Sequence, residues 1–94
     1  MFNPKEFEEA YVNTCRLLGM QLRHCKDGLW ELWVPEHVTP LPKQGYWTGG
    51  YQSEFMCAVE FARIMDYGQT IREALDACGA GAPEEYKDHV GLSV

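Results

Sequence analysis

The N-terminal part of the chain has apolar residues at helical spacing, which predicts a first helix over about residues 4–18. The stripe that would face a core consists of Phe7, Tyr11, Cys15 and Leu18. Asn3 stands where an N-cap side chain would accept backbone N–H groups, and Phe2 can pack on Phe7 as a hydrophobic staple. Gly19 then supplies the left-handed residue at which such a helix ends.

The next apolar positions alternate with polar ones, which is typical of a β-hairpin over about residues 20–34. Asp27 and Gly28 mark the turn, and loops of two or three residues are both compatible with them. A three-residue loop would place Arg23 directly opposite Glu31. One face would then carry Met20, Leu22, His24, Trp30, Leu32 and Val34. Because this register separates apolar from polar side chains more cleanly, we predict the three-residue loop.

Proline and glycine dominate residues 35–45, so this segment predicts an irregular connection rather than a central strand. The following residues, 46–48, are predicted to form a short third strand that Gly49 and Gly50 close. A longer helix is predicted over about residues 54–67, and its apolar stripe is wide enough for a central position.

The C-terminal third predicts a helix over about residues 71–78 and a turn over about residues 83–89. The start and stop signals of these helices are Ser53, Gly68, the capping box Thr70-Ile71-Arg72-Glu73, and Gly79. The whole pattern predicts a single α+β domain over residues 1–94, in the order α-β-β-(β)-α-α. We expect an antiparallel hairpin or three-stranded sheet that the first helix and the long helix cover on one face.

Charge narrows the classes of partner. The 94 residues include 8 Lys and Arg against 14 Asp and Glu, which gives a formal net charge of −6. Affinity for nucleic acid comes mostly from basic side chains on phosphates, and the basic residues here are dispersed, so direct nucleic-acid binding is disfavoured. An acidic surface suits a protein partner with a basic surface, although negative charge also simply keeps small domains in solution.

The position of the chain relative to membranes follows from two further features. No apolar run approaches the roughly 20 residues of a membrane span. The segment from Met1 to Glu9 is acidic, whereas a secretory signal begins basic and continues apolar. We therefore expect a cytoplasmic protein that does not enter membranes.

Residues with catalytic or metal-binding chemistry are sparse. The four cysteines, Cys15, Cys25, Cys57 and Cys78, contain no Cys-x-x-Cys pair, so we predict neither a metal site nor a cofactor. No serine or cysteine stands in a nucleophile motif, and we expect no enzymatic activity. The alternative is a small enzyme or ligand-binding domain in which His24 and Glu31 act as an acid–base pair.

Surface aromatic and acidic residues remain as candidate contacts with a protein partner. Trp33 is predicted on the polar face of the hairpin, whereas Trp47 and Tyr51 flank glycines and could instead fold back over the core. The full candidate set is Glu6, Glu8, Glu9, Glu31, Trp33, Trp47 and Tyr51, with Glu84, Glu85 and Asp88 as a second acidic patch. An alternative function is a homo-oligomeric accessory protein, such as a homodimer, joined through the aromatic loop.

Two resemblances accompany these patterns. The order helix–strand–strand–strand–helix over about residues 4–67 resembles the double-stranded-RNA-binding domain. That family has a basic cluster at the start of its last helix, but the matching residues here are Ser53-Glu54-Phe55-Met56-Cys57, so only the topology would carry over. By its size, its charge of −6 and its acidic segments, the chain is also similar to small inhibitors encoded by phages and other mobile elements, the anti-CRISPR proteins among them. That resemblance implies a non-enzymatic inhibitor that mimics nucleic acid on a basic surface.

Overall fold

A computed structural model of the chain describes residues 2–39 and 44–83. The elements, in chain order, are α1 (Pro4–Leu17), β1 (Leu22–His24), β2 (Trp30–Val34), a 3-10 turn (Glu36–Val38), β3 (Tyr46–Tyr51), α2 (Glu54–Ile64) and α3 (Gly68–Ala77). The three strands form one antiparallel sheet in the order β1-β2-β3. The predicted α+β class and the predicted order of elements are confirmed. Apart from Pro83, the C-terminal turn predicted over residues 83–89 lies outside the described residues.

The start of α1 follows the signals in the sequence. The side-chain oxygen of Asn3 accepts hydrogen bonds from the backbone N–H groups of Lys5, at 3.0 Å, and Glu6, at 3.3 Å. The rings of Phe2 and Phe7 lie 5.9 Å apart, as a hydrophobic staple requires. These contacts satisfy two of the backbone donors that every helix start leaves unpaired, and they fix the direction in which the chain enters α1.

The hairpin of β1 and β2 has the predicted register. Arg23 lies opposite Glu31, and His24 lies opposite Trp30. Cys25 and Leu29 close the loop through a backbone hydrogen bond of 2.8 Å, which leaves three residues in the turn. Gly28 adopts φ +85°, a left-handed conformation that costs other L-residues about 1–2 kcal/mol. The three-residue loop is therefore confirmed, together with the faces that it assigns to each side chain.

Strand β3 is longer than predicted. It extends over Tyr46–Tyr51, so Gly49 and Gly50 lie inside the strand and do not end it. Glu31 pairs with Gly49 while its neighbour Trp30 pairs with Tyr51, and Gly50 is the extra residue of this β-bulge. Gly50 has φ +90°, which is the conformation that such a bulge favours in glycine. The sequence expectation was wrong because two consecutive glycines are also the signal of a strand end.

The helices lie on one face of the sheet. α2 packs directly on β2 and β3, α1 packs on α2, and α3 contacts both helices. At the centre of the core, the Tyr11 and Phe55 rings meet edge to face with centroids 5.4 Å apart, and Leu32 is fully buried. The expected helical cover is therefore present, with α2 rather than α1 making most of the contact with the strands.

The end of α2 corrects the predicted helix over residues 54–67. The helix ends at Ile64, and Asp66 adopts the left-handed conformation with φ +61°. The backbone N–H of Tyr67 then donates to the carbonyl of Ala62 at 2.8 Å, and the Tyr67 ring packs 5.9 Å from the ring of Phe61. This hydrogen bond and ring contact form a Schellman motif in which an aspartate occupies the usual glycine position.

Helix α3 begins earlier than predicted. Gly68, which was expected to stop α2, is the first residue of α3. Thr70 and Glu73 lie within this helix and do not form the predicted capping box, and the N-cap residue, Tyr67, makes no side-chain capping hydrogen bond. The predicted stop at Gly79 agrees with the structure, because Gly79 has φ +74° directly after the C-cap.

Candidate protein-binding surface

The sheet presents a second face, opposite α2, which we call the outer face and define by Arg23, Glu31, Trp33 and Trp47. The pairing places these side chains together, because Arg23 lies opposite Glu31 and Trp33 lies opposite Trp47. Directly paired residues of an antiparallel sheet share a face. The two tryptophans are partly exposed, and the Arg23 side chain is 53% exposed. Large aromatic side chains with a partly solvated position are typical of binding surfaces.

The outer face is held together by three side-chain contacts. The Arg23 guanidinium lies over the Trp47 ring, 4.3 Å from its centroid. The same guanidinium donates its Nε–H to the carboxylate of Glu31. Trp33 and Trp47 meet edge to face with ring centroids 5.4 Å apart. Because each of these residues is oriented by a neighbour, a partner that binds here finds side chains that are already ordered.

Two glycines make room for the outer face. A Cβ atom on Gly45 would lie 2.5 Å from Cζ2 of Trp33 and 2.8 Å from the carbonyl oxygen of Val34. A Cβ atom on Gly49 would lie 2.8 Å from Cγ and 2.9 Å from Oε2 of Glu31. The indole of Trp33 and the carboxylate of Glu31 therefore lie directly over the backbone of neighbouring segments, where any larger residue would displace them.

Charge on the outer face is fixed by the same contacts. The hydrogen bond from Arg23 and a further one with the Cys25 thiol hold the pKa of Glu31 below its usual value. In return, Glu31 raises the pKa of the Cys25 thiol. At neutral pH this corner of the sheet therefore carries an ionised carboxylate, an arginine and a neutral thiol.

The glutamates of α1 form a separate surface on the helical side of the molecule. Glu8 and Glu9 line an open groove of about 450 Å³ between α1 and the start of α2, where Glu54 and Lys5 are also located. Glu6 is exposed on the same helix. The structure therefore does not bring the α1 carboxylates together with Glu31 and the tryptophans, although all were candidate contacts.

Two other candidates face the core side of the sheet. Tyr51 is half-buried and packs against the hydrophobic core. His24 stacks on Trp30 with ring centroids 4.2 Å apart, and its Nε2 lies 3.2 Å from the carbonyl oxygen of Gly28. Because Glu31 points to the outer face, the structure does not bring His24 and Glu31 together as an acid–base pair. The acidic patch of Glu84, Glu85 and Asp88 lies outside the described residues.

Sequence reasoning missed part of the outer face. It identified Trp33, Trp47 and Glu31 as candidate contacts, but it assigned no place on this face to Arg23, Gly45 or Gly49. The predicted pairing of Arg23 with Glu31 was the signal available for the arginine. No comparable signal marks the two glycines, since their role depends on the pairing between β2 and β3.

Within residues 2–39 and 44–83, no group of three or more His, Cys, Asp or Glu side chains could hold a metal ion. In the same residues, no helix is long and apolar enough to cross a membrane. No protein-family description, no curated protein and no solved structure matches the chain.

Proposed function

We propose that this protein is a non-enzymatic binding protein that docks through the outer face onto a basic surface of a partner protein and blocks or modulates that partner. The observation that carries the proposal is the assembly of Trp33, Trp47, Arg23 and Glu31 on a sheet face that no described helix covers. Aromatic residues and arginine dominate the energetic centres of protein interfaces because they bury a large area for few rotatable bonds.

The charges of the described residues support a basic protein partner over nucleic acid. Each arginine in residues 2–39 and 44–83 already pairs with a carboxylate of the same chain. These pairs are Arg16–Glu54, Arg23–Glu31, Arg63–Glu60 and Arg72–Asp76. An arginine that is neutralised in this way has less to offer a phosphate, and the net charge of −6 opposes the approach of a polyanion.

The finer form of the proposal is nucleic-acid mimicry. The partner would be a nucleic-acid-handling complex, such as a CRISPR effector, whose Lys and Arg side chains normally hold phosphates. The carboxylates of Glu8 and Glu9 could occupy those cations. This form is supported by the acidic balance of the chain, whose net charge is −6.

The chemistry of the thiols supports a binding role over catalysis. Burial raises the pKa of Cys15 to about 12 and that of Cys57 to about 11. A thiol with so high a pKa is a poor nucleophile at neutral pH, because the thiolate is the reactive form. Cys25 also has a raised pKa, through its hydrogen bond with Glu31.

The proposal is tested first by capturing the tagged protein from a lysate of its native host and measuring the affinity for the identified partner by calorimetry. We expect Trp33→Ala to weaken that affinity at least tenfold, since a central aromatic anchor is lost. The matched control is Leu17→Ala, which also removes an apolar side chain, 89% exposed, but on α1. Equal effects of the two substitutions would contradict docking through the outer face.

Charge reversal tests the mimicry separately. Replacing both Glu8 and Glu9 by Lys is expected to weaken binding and to reduce its dependence on salt, because two ion pairs with the partner disappear. Unchanged binding at both low and high salt would remove the α1 carboxylates from the interface. Recovery of only the protein itself, with a dimer mass by light scattering, would instead favour the homo-oligomeric alternative.

A further inference from the structure

The two edge strands of the sheet differ in how they are protected against pairing with a further strand. β1 has three residues, Leu22–His24, and carries a charged Arg23. β3 has six residues, Tyr46–Tyr51, with the sequence YWTGGY, which contains neither a charge nor a proline. Natural proteins usually shield an edge strand by keeping it short or by adding charges or prolines. Within the described residues β3 pairs only with β2, and of the usual protections of an edge strand its other side has the bulge at Gly50 alone.

The hydrogen bonds of the hairpin show which residues of β3 point their backbone outward. The N–H of Trp33 donates to the carbonyl of Gln21 at 3.0 Å, so Trp33 directs its backbone groups towards β1. Consecutive residues of a strand alternate in this direction, and Leu32 therefore directs its groups towards β3. Its partner there is Thr48, which must in turn face β2.

The neighbours of Thr48 consequently face away from β2. Trp47 and Gly49 present their N–H and C=O groups at the free edge, while their side-chain positions lie on the outer face. An added strand needs unpaired backbone groups and a neighbouring side-chain surface. The main chain of such a strand would pair with Trp47 and Gly49, and its side chains would lie next to the outer face.

Glu31 makes this edge selective for charge, because Arg23 bonds one carboxylate oxygen, Oε1, while the other, Oε2, lies over Gly49. Its carboxylate lies over Gly49, where a Cβ atom would be only 2.9 Å from Oε2. Because Gly49 has no side chain, the outer face is bare beside this carboxylate, and an added strand would lie about 4.8 Å from β3. A cationic side chain that projects from a strand opposite Gly49 can cross this gap and reach Glu31 directly, with the ring of Trp47 beside it.

We propose that the free edge of β3 accepts an extended segment of the partner as a fourth strand, and that an arginine or lysine of this segment lies across Gly49 against Glu31. This inference rests on the proposed function and specifies the chemistry of the partner. The net charge of −6 and the position of the carboxylate favour a basic segment over a second copy of this acidic chain.

The test uses the full chain, labelled with ¹⁵N, and three acetylated seven-residue peptides of alternating Thr and Val that differ only in a central Arg, Gln or Glu. We expect the Arg peptide to shift the amide signals of Trp47 and Gly49 and to slow their hydrogen exchange. The Gln peptide should bind about tenfold more weakly, and the Glu peptide more weakly still, because only the cation gains the contact with Glu31.

Two variants separate the strand from the charge. Gly49→Lys should abolish binding of the Arg peptide, since its side chain fills the gap beside Glu31 and repels a cation. Glu31→Gln should leave peptide binding in place but remove the preference for Arg over Gln. Glu73→Gln, which removes the same charge from α3, is the control and should preserve that preference. Glu31→Gln also serves as the decisive variant if Gly49→Lys proves unfolded by circular dichroism.

Several outcomes would overturn the inference. The inference fails if the Arg and Gln peptides bind the unmodified protein with equal affinity. It also fails if the peptides shift the amide signals of other residues but not those of Trp47 and Gly49. Protection of these amides that rises with protein concentration in the absence of peptide would assign the edge to a second copy. If the captured partner is lost with Trp33→Ala but retained with Gly49→Lys, the proposed function stands and strand addition fails, so the two proposals fail separately.

Discussion

Strand β2 has two faces with different tasks, although they are built from alternating residues of the same five-residue segment. Leu32 and Val34 are 0% and 2% exposed and belong to the core beneath α2. Glu31 and Trp33 lie between them in the chain and point to the outer face. The inner side chains are buried against the helices, whereas the outer side chains stay partly exposed to solvent. Alternation thus allows one short strand to stabilise the fold and to present the surface that we propose for binding.

The largest effect is expected from truncating the inner face. Leu32→Ala should lower the free energy of unfolding by about 2–5 kcal/mol, because it leaves a cavity at a fully buried position. Trp33→Ala should cost less stability while it removes partner binding, since the Trp33 side chain is only partly buried. Urea denaturation of both variants measures the difference. Equal losses of stability would mean that the outer face belongs to the core, and the distinction between the faces would fail.

The next-largest effect is expected at Gly45, which leaves room for the Trp33 indole of the outer face. Gly45→Ala should lower the free energy of unfolding by about 1–3 kcal/mol, since its methyl group meets both the Trp33 indole and the carbonyl oxygen of Val34. Part of this contact is with backbone, so a rotation of Trp33 alone cannot relieve it. Gln44→Ala at the neighbouring exposed position is the control, and it should change stability by less than about 0.5 kcal/mol. Equal stability of the two variants would show that the Trp33 ring does not pack on Gly45 in solution.

The same two faces show how much of this fold the sequence reveals. The hairpin register could be predicted because a shift by one residue would have exchanged every inner and outer side chain, and the apolar pattern allows only one clean separation. The left-handed Gly28 agreed with that register. Local alternation and turn chemistry therefore sufficed for β1, for β2 and for the outward direction of Trp33.

The errors arise where a residue's role depends on its tertiary neighbours. Gly49 and Gly50 stop a strand in many sequences, but here pairing with β2 carries the strand through them as a bulge. Asp66 ends α2 in a conformation that the sequence more often assigns to glycine, and the helix was therefore predicted to continue. The facing of Trp47 could not be predicted because it depends on the register between β2 and β3, which the intervening connection does not encode locally.

A smaller effect tests whether the outer face is ordered before a partner binds. In a double-mutant cycle of Arg23→Ala and Trp47→Ala, the coupling in the free energy of unfolding should be about 0.5–1 kcal/mol, as for an exposed cation–π contact. The control cycle pairs Arg72→Ala with Trp47→Ala. Because Arg72 lies on α3 and pairs with Asp76, no coupling is expected there. A zero result in the first cycle would mean that the contact between Arg23 and Trp47 does not contribute in solution.

The smallest expected effect is a difference between the two faces in how their contribution to stability depends on pH. Glu31 has a pKa below its usual value of 4.5, first because Arg23 donates a hydrogen bond to it and then because of Cys25. The folded protein thus favours the ionised form, so the contribution of Glu31 to stability is complete above pH 4.5 and is lost as the pH falls through the folded pKa. The cost of Leu32→Ala should stay constant over the same range, because Leu32 is fully buried and carries no ionisable group.

The titration of Glu31 can be followed directly through the ¹³C signal of its carboxyl group. We expect a midpoint below 4.5 in the unmodified protein and a higher midpoint in Arg23→Ala, where the largest cause of the shift is missing. Arg63→Ala, which removes an arginine from a different ion pair, should leave the midpoint unchanged. If Glu31 titrates identically in all three proteins, the ion pair does not orient the carboxylate over Gly49. The outer face would then gain its order only from the partner, and the preference of the β3 edge for a cationic segment would lose its physical basis.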